Sequence, residues 1–195
     1  MGRDKLEMRY DGKSLLEAAV NRFSEEFQNV CISVADAAKY PSITVDRIVD
    51  ILPGAGPMSG LHAALTYINC GGVFLVAADL PFSSPKAAKC MIELCGDKEA
   101  CVIRLPDGKL EPLFGFYSKS LLPLCEEVIK SGDNRMTGVI SGADTRFVSP
   151  SELGELWDDN MIVNVNSPED YDKLFFTDSH LDNRKNQLLR QMKND

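Results

Sequence analysis

The stretch GVFLVAAD, residues 72–79, decides the fold. An uninterrupted run without a charged residue extends from Gly72 to Ala78 and ends at Asp79. Such a run, with no alternation of polar and apolar residues, is typical of a parallel strand that helices cover on both faces. We therefore expect this stretch to be a strand at the centre of a sheet.

Helices and strands alternate on both sides of this strand. Ser84 is placed to cap a helix that begins at Pro85 and that Gly96 can end. Apolar residues at helical spacing predict further helices over 13–27 and 119–131, and one from Leu61, after the Gly/Pro cluster PGAGPMSG. Short apolar runs predict strands at 29–35, 43–49, 100–105, 113–117, 146–148 and 161–165. This alternation predicts an α/β three-layer sandwich with a mostly parallel sheet.

The length suits one domain. We expect this domain to span residues 1–176, with a last helix that starts at Ser167-Pro168 and carries acidic residues in its first turn. Residues 177–195 form a polar tail rich in Lys, Arg, Asn and Gln.

Composition excludes several classes of function. The chain has 29 acidic and 21 basic residues, a net charge of −8, so it repels nucleic acid and offers no basic stripe for it. No apolar run approaches the roughly 20 residues that a membrane span needs, and no charged-then-apolar leader opens the chain. We expect a cytoplasmic protein that acts on a small substrate.

The six cysteines form no CxxC pair, and the two histidines do not share a ligand-like spacing with them. Several cysteines, such as Cys31 and Cys101, have apolar neighbours, where a thiol behaves as a small buried hydrophobe. We interpret them as reduced core cysteines.

Ligands of open parallel sheets gather at the carboxyl ends of the strands. Asp50 and the cluster GPMSG, residues 56–60, follow one predicted strand, and glycines there let the backbone approach a ligand. Asp79 follows the apolar strand and can hold Mg²⁺ against triphosphate oxygens. A third candidate is the charged triplet Arg3-Asp4-Lys5 at the start of the chain. Each of the three features also fits a simpler role. The cluster can be an ordinary loop, Asp79 can cap or brace the next turn, and the triplet can be a solvent-facing terminus.

The order of six segments resembles one family. The segments are MGRDK, DGKSLLEAAVNRF, GPMSGLHAAL, VFLVAADLPF, EPLFGFY and NVNSPEDY. Together they resemble the molybdenum cofactor guanylyltransferases, which have the nucleotide-diphospho-sugar transferase fold. The resemblance covers residues 1–174, and GPMSG and NVNSPED are its most specific parts.

The resemblance implies transfer of GMP from GTP to molybdopterin, with release of pyrophosphate. It implies that Lys5 and Asp79 are catalytic, with Lys5 on the GTP phosphates and Asp79 binding the cofactor Mg²⁺. It implies that Asn164 and Asn166 shape the far, pterin-side wall, with residues 111–113 lining that half. Nucleotide-binding positions carried over from the family are Ser33, Asp50, Gly56, Pro57 and Gly60. Ser33 stands where some relatives have an Asn that helps to bind nucleotide. Recipient molybdoenzymes or their chaperones are the implied partners.

The family opens with a strand and a loop of the form LAGGxSxRMGxDK, of which residues 1–5 match only the end. The first strand and the LAGG loop are missing. Removal of an inner strand exposes two rows of unpaired backbone groups, so we expect this chain to be poorly stable as written. We expect Met1 to be an internal methionine of a longer protein, or the chain to be a fragment.

Two other functions remain open at this point. A sister transferase would use CTP on the same pterin, or another small phosphate acceptor. A catalytically silent module, without the phosphate loop, would only hold pterin or a partner protein.

Overall fold

The chain folds into short strands and helices. A computed structural model describes residues 6, 9–10, 13–165 and 170. The strands are β1 (Arg9–Tyr10), β2 (Lys13–Ser14), β3 (Cys31–Val34), β4 (Asp46–Val49), β5 (Gly72–Val76), β6 (Ala100–Arg104), β7 (Leu110–Ser118) and β8 (Thr145–Val148). The α-helices are α1 (Leu15–Ser24), α2 (Pro57–Tyr67), α3 (Pro85–Cys95), α4 (Leu122–Lys130), α5 (Met136–Gly142) and α6 (Pro150–Leu153).

The helix starts follow local sequence rules. A capping box begins α1, where the Ser14 hydroxyl accepts from the Glu17 N–H and the Glu17 carboxylate accepts from the Ser14 N–H. Ser84 caps α3 ahead of Pro85, and Gly96 ends that helix with a φ of 58°, as predicted.

The strands form three groups. β1 and β2 make an antiparallel pair, β3 and β4 make a parallel pair, and a four-stranded sheet has the order β5-β7-β6-β8. β7 runs antiparallel to β5 and β6, whereas β6 and β8 are parallel. Three of the four strands in this sheet therefore point the same way.

Helices cover both faces of the four-stranded sheet. Phe23 of α1 and Met91 of α3 belong to an apolar cluster on one face, with Phe114 of β7. Leu61 of α2 and Cys125 of α4 belong to the cluster on the other face, together with α5 residues. The layers are therefore helix, sheet, helix, and the predicted α/β three-layer sandwich is confirmed.

The prediction that residues 72–79 form the central strand is wrong for the part of the chain that the structure describes. There β5 pairs with β7 alone, and each residue from Gly72 to Asp79 is half-buried. An apolar run indicates that the side chains of a strand are covered. Whether the strand has a neighbour on both of its edges depends on other segments of the chain.

Two other predictions also differ from the structure, and one helix was not predicted. The Gly/Pro cluster does not delay α2 to Leu61: the helix begins at Pro57, since Pro is well suited to a first helical position. Residues 161–165 form no strand; a 3-10 helix, Asp159–Ile162, buries Met161 instead. Short α5 was not predicted, because two glycines in its 7 residues weaken a helical pattern.

The predicted end of the domain at residue 176, its last helix from Ser167-Pro168, and the tail at 177–195 lie outside the described residues. No helix among the described residues is long and apolar enough to cross a membrane.

Candidate active site

A groove of about 350 Å³ opens where β3, β4 and β5 end. Its wall on one side consists of residues 33–35, at the end of β3, and Asp50, which follows β4. Its other wall consists of residues 75–79, at the end of β5. The groove therefore lies at the carboxyl ends of these three strands, as expected for ligand sites in such folds. The remaining lining residues are Leu6, Gly56, Pro57, Gly60 and Leu113.

A small polar pair forms the first wall. The Ser33 hydroxyl donates to Asp50 Oδ1 at 3.3 Å, and the Asp50 N–H donates to the Val34 carbonyl at 3.0 Å. The loop after β4 is therefore fastened to β3. Asp50 keeps its second carboxylate oxygen available to a ligand donor such as a hydroxyl or an amino group.

The start of α2 forms one end of the groove. Gly56 has a φ of 56°, which favours glycine, and Pro57 follows it as the first residue of the helix. The Met58 and Ser59 N–H groups already donate to the carbonyls of residues 55 and 56. The partial positive charge of the helix end, more than these N–H groups, is therefore what α2 offers an anion.

A buried hydroxyl that sequence reasoning did not single out holds this loop. Ser59 Oγ donates to the Leu52 carbonyl at 2.6 Å and accepts from the Ala55 N–H at 3.0 Å. Ser59 is fully buried. Its position in the GPMSG segment was the available signal, because a hydroxyl beside glycines is suited to bonding nearby backbone.

Asp79 lines the groove just after β5, and both neighbouring segments of chain are fastened there. The Val165 N–H donates to the Asp79 carbonyl at 2.9 Å. On the other side, Arg22 of α1 donates to the carbonyls of Pro81 and Leu80 at 2.7 and 3.2 Å. Asp79 is thus fixed between a late segment and an early helix.

A second carboxylate lies close to Asp79. Burial raises the pKa of Glu111 above its ordinary value, the Leu113 N–H opposes this rise, and the negative charge of Asp79 adds to it. Glu111 Oε1 accepts from that Leu113 N–H at 3.0 Å. Glu111 is not among the described residues that line the groove, and it adjoins the site through its neighbour Asp79.

The Asp79 carboxylate fits a site in which Mg²⁺ is bound together with a phosphate. No group of three or more Cys, His, Asp or Glu side chains suited to a metal occurs among the described residues. Mg²⁺ commonly uses one or two protein carboxylates and completes its octahedron with phosphate oxygens and water. Asp79, which follows a strand and lines the same groove as the start of α2, matches that pattern.

The structure brings most of the proposed site residues to one place. Ser33, Asp50 and Asp79 line the groove, as do the three positions from the start of α2, Gly56, Pro57 and Gly60. Asn164 is exposed and does not line it, but its neighbour Val165 bonds to Asp79. Lys5 and Asn166 lie outside the described residues.

The cysteines take no part in this site. All six are free thiols. Cys95, Cys101 and Cys125 are buried, as expected for core cysteines, whereas Cys31 is exposed despite its apolar neighbours, because β3 alternates between outward and inward positions.

Comparison with known proteins agrees with this geometry. Residues 1–148 match the family model described as a MobA-like NTP transferase domain. Two archaeal proteins, each named a probable molybdenum cofactor guanylyltransferase, match over 179 residues: that of Thermococcus kodakarensis is 34% identical, with 89% of this chain and 87% of that protein covered. That of Pyrococcus furiosus is 32% identical, with 89% of each chain covered.

Solved structures share the fold. Molybdopterin-guanine dinucleotide biosynthesis protein A from Archaeoglobus fulgidus superposes with a TM-score of 0.75, at 25% identity over 87% of each chain. The 2-C-methyl-D-erythritol 4-phosphate cytidylyltransferase of Thermus thermophilus superposes with a TM-score of 0.64, at 16% identity over 87% of this chain and 90% of that one. Its low identity speaks for the fold alone. The fold is that of the nucleotide-diphospho-sugar transferases, and the chain belongs to the family of MobA-like NTP transferase domains and is a nucleotidyltransferase.

Proposed function

We propose that this protein transfers GMP from GTP to molybdopterin and releases pyrophosphate, as a step in molybdenum cofactor biosynthesis. The observation that carries the proposal is Asp79, a carboxylate at the end of β5 that faces a groove in a nucleotidyltransferase fold. The names of the relatives, which are guanylyltransferases by name, supply the substrates.

The charge of the groove supports an essential cation. Asp50 and Asp79 are the charged residues among its described lining, and both are acidic. A triphosphate would meet net repulsion there without a divalent ion or a lysine. We assign that role to Mg²⁺ on Asp79, with Lys5 on the phosphates.

The chemistry requires no covalent intermediate on the protein. A terminal phosphate oxygen of molybdopterin attacks the α-phosphorus of GTP and forms a new P–O–P linkage. The bond from the α-phosphorus to the oxygen that bridges it to the β-phosphorus breaks, so pyrophosphate leaves with this bridging oxygen. Asp79 would hold Mg²⁺, which would offset the charge that spreads over the phosphoryl oxygens in the transition state. The protein positions the two substrates and neutralises charge.

The groove divides naturally between the substrates. Ser33 and Asp50 would bind guanosine, because the hydroxyl and carboxylate offer acceptors for its amino and hydroxyl groups. The start of α2, at Gly56, Pro57 and Gly60, lies where its dipole favours the phosphates. Asn164 and Asn166 would shape the far wall, on the pterin side.

We place this activity in the cytoplasm, where thiols like the six free cysteines stay reduced. The product would pass to molybdoenzymes or to their chaperones.

A product assay tests the proposal. The purified natural protein is incubated with molybdopterin, Mg²⁺ and either GTP, CTP, UTP or ATP, and pyrophosphate and dinucleotide products are measured by mass spectrometry. We expect a guanine dinucleotide that depends on Mg²⁺. A cytosine dinucleotide instead, or nucleotide binding without any product, would overturn the assignment in favour of a sister transferase or a binding module.

A further inference from the structure

β7 leaves regular pairing with β6 beside Leu113, which lines the groove. Gly115 of β7 pairs with Val102 of β6, but the next residue of β6, Ile103, pairs with Glu111. Residues 112–114 are therefore extra residues on β7, a β-bulge. Bulges near active sites commonly redirect the chain or a side chain.

Three hydrogen bonds involve the polar groups of this bulge. The Leu113 N–H donates to Glu111 Oε1 at 3.0 Å, and the Tyr117 hydroxyl donates to the Pro112 carbonyl at 2.7 Å. The Ala77 N–H donates to the Leu113 carbonyl at 2.8 Å. Pro112 has no N–H that would need a partner. The side chains of Glu111 and Tyr117 thus bond to backbone groups of the bulge that have no partner in a regular ladder.

The bulge connects Glu111 to Asp79 through the backbone. Ala77 is two residues before Asp79, and its bond to Leu113 continues the β5–β7 ladder past the last paired residue of β5. If the Leu113 N–H lost its acceptor, the chain at 112–114 could turn away and release Ala77. The end of β5 would then lose one of the bonds that fix its direction.

We propose that Glu111 is a positioning residue for Asp79, because its carboxylate holds the bulge whose Leu113 carbonyl fixes the end of β5. In this role the oxygen of Glu111 matters as a hydrogen-bond acceptor and its charge does not. The catalytic part of the inference rests on the proposed function, since it takes Asp79 as the residue that acts on the nucleotide.

Three substitutions separate acceptor from charge. Glu111→Ala removes both, whereas Glu111→Gln keeps an amide oxygen that can accept from the Leu113 N–H and removes the charge. Tyr117→Phe removes the second brace of the bulge and keeps the ring in the core. Glu93→Ala, on the exposed face of α3, is the matched control.

The first measurement is amide hydrogen exchange at Ala77 and Leu113, followed by NMR. Glu111→Ala should speed exchange at both amides by at least about tenfold, since an unbonded amide opens more readily. Tyr117→Phe should speed it to a smaller extent, and Glu111→Gln should stay within about threefold of the natural protein. Unchanged exchange in Glu111→Ala would overturn the proposal.

The second measurement is nucleotidyl transfer, at a temperature well below each variant's melting point. Glu111→Ala should lower kcat at least about tenfold and raise the Mg²⁺ concentration for half-maximal rate, while Glu111→Gln retains at least a third of the natural turnover. If Glu111→Gln is as impaired as Glu111→Ala, the charge acts directly on the cation and the positioning role is wrong.

The two measurements also separate this inference from the proposed function. The exchange rates at Ala77 and Leu113 require no substrate. If they respond as expected while the natural protein makes no dinucleotide, the proposed function fails and the structural link from Glu111 to the end of β5 stands.

Discussion

At the scale of single residues, Asp79 has the most exacting position in the molecule. Its carbonyl accepts a hydrogen bond from the Val165 N–H, and the residue lines the groove. Its negative charge helps to raise the pKa of nearby Glu111. Because the backbone is fixed on both sides of Asp79, part of the cost of ordering this residue for a bound cation is already met.

Asp79→Asn tests this at constant size. Loss of the charge should lower nucleotidyl transfer at least about 100-fold, the effect of about 2.7 kcal/mol on the barrier, because the amide binds Mg²⁺ poorly. The melting temperature should change little, since no core packing is lost. Steady-state kinetics and calorimetry measure the two effects, with exposed Asp97→Asn as control. Near-normal turnover of Asp79→Asn would contradict the role of Asp79.

The thiols supply a second prediction at this scale. Burial raises the pKa of Cys101 to about 12 and that of Cys125 to about 11, whereas Cys70 is exposed. Only the thiolate reacts with alkylating agents. At pH 8, iodoacetamide should therefore label Cys70 in the folded protein and reach Cys101 and Cys125 only after unfolding. Mass spectrometry of a labelling time course measures this order, which equal rates would disprove.

At the scale of elements, α1 is fastened to the loop that follows Asp79. The Arg22 guanidinium bonds to two carbonyls there and to Ser83 Oγ at 3.1 Å. These contacts join residues about 60 positions apart in the chain. The planar, charged guanidinium presents several N–H donors in a fixed geometry and can therefore bond to several acceptors of such a loop.

Arg22→Gln should lower the free energy of unfolding by about 1.5–3 kcal/mol, as is typical when hydrogen bonds from a charged group are lost. Urea unfolding measures the change. Arg135→Gln is a fitting control, since its side chain is 81% exposed and its ion pair with Asp133 lies on the surface; it should cost less than about 0.5 kcal/mol. Equal effects of the two variants would show that the Arg22 contacts contribute no more than a surface pair.

Close packing of α2 on β3 gives the other prediction for an element. A Cβ at Gly60 would lie 2.7 Å from Ser33 Oγ and 3.3 Å from Ser33 Cβ. Gly60→Ala should displace Ser33, break its bond to Asp50 and cost about 1–3 kcal/mol of stability.

A double-mutant cycle with Ser33→Ala tests the cause of this loss. Removal of Oγ relieves the closer clash, so the double variant should be more stable than the sum of the single effects allows. Additive effects would show that the clash with Ser33 is not the source.

At the scale of the whole molecule, the groove separates two groups of strands. Among the described residues, the β3–β4 pair and the four-stranded sheet share no backbone ladder. Their strand ends meet at the groove. A ligand bound there would contact both groups and oppose their separation during unfolding.

GTP with Mg²⁺ should therefore stabilise the natural protein against heat. At a free ligand concentration of about 100 times Kd the gain is about 2.7 kcal/mol, or roughly 5–11 °C in Tm for a chain of this size. Differential scanning fluorimetry measures the shift. We expect a smaller shift with EDTA or with CTP, and an equal shift with CTP would contradict guanine selectivity.

Much of this arrangement was readable from neighbouring residues alone. The cap of α3 by Ser84, its start at Pro85 and its end at Gly96 are local properties, because backbone geometry and capping depend on adjacent residues. The layered α/β class and the place of Asp79 at a strand end follow from hydrophobic periodicity for the same reason. The order of the six motifs indicated the family.

Tertiary structure decided which distant groups meet. The apolar run before Asp79 did not show that β5 pairs only with β7 among the described residues, nor that β7 bulges at 112–114. The contacts of Arg22 with the Asp79 loop, and of Ala77 with Leu113, were likewise absent from any local pattern. Periodicity records whether a side chain is covered, whereas hydrogen-bond partners and charge neighbours depend on segments far apart in sequence.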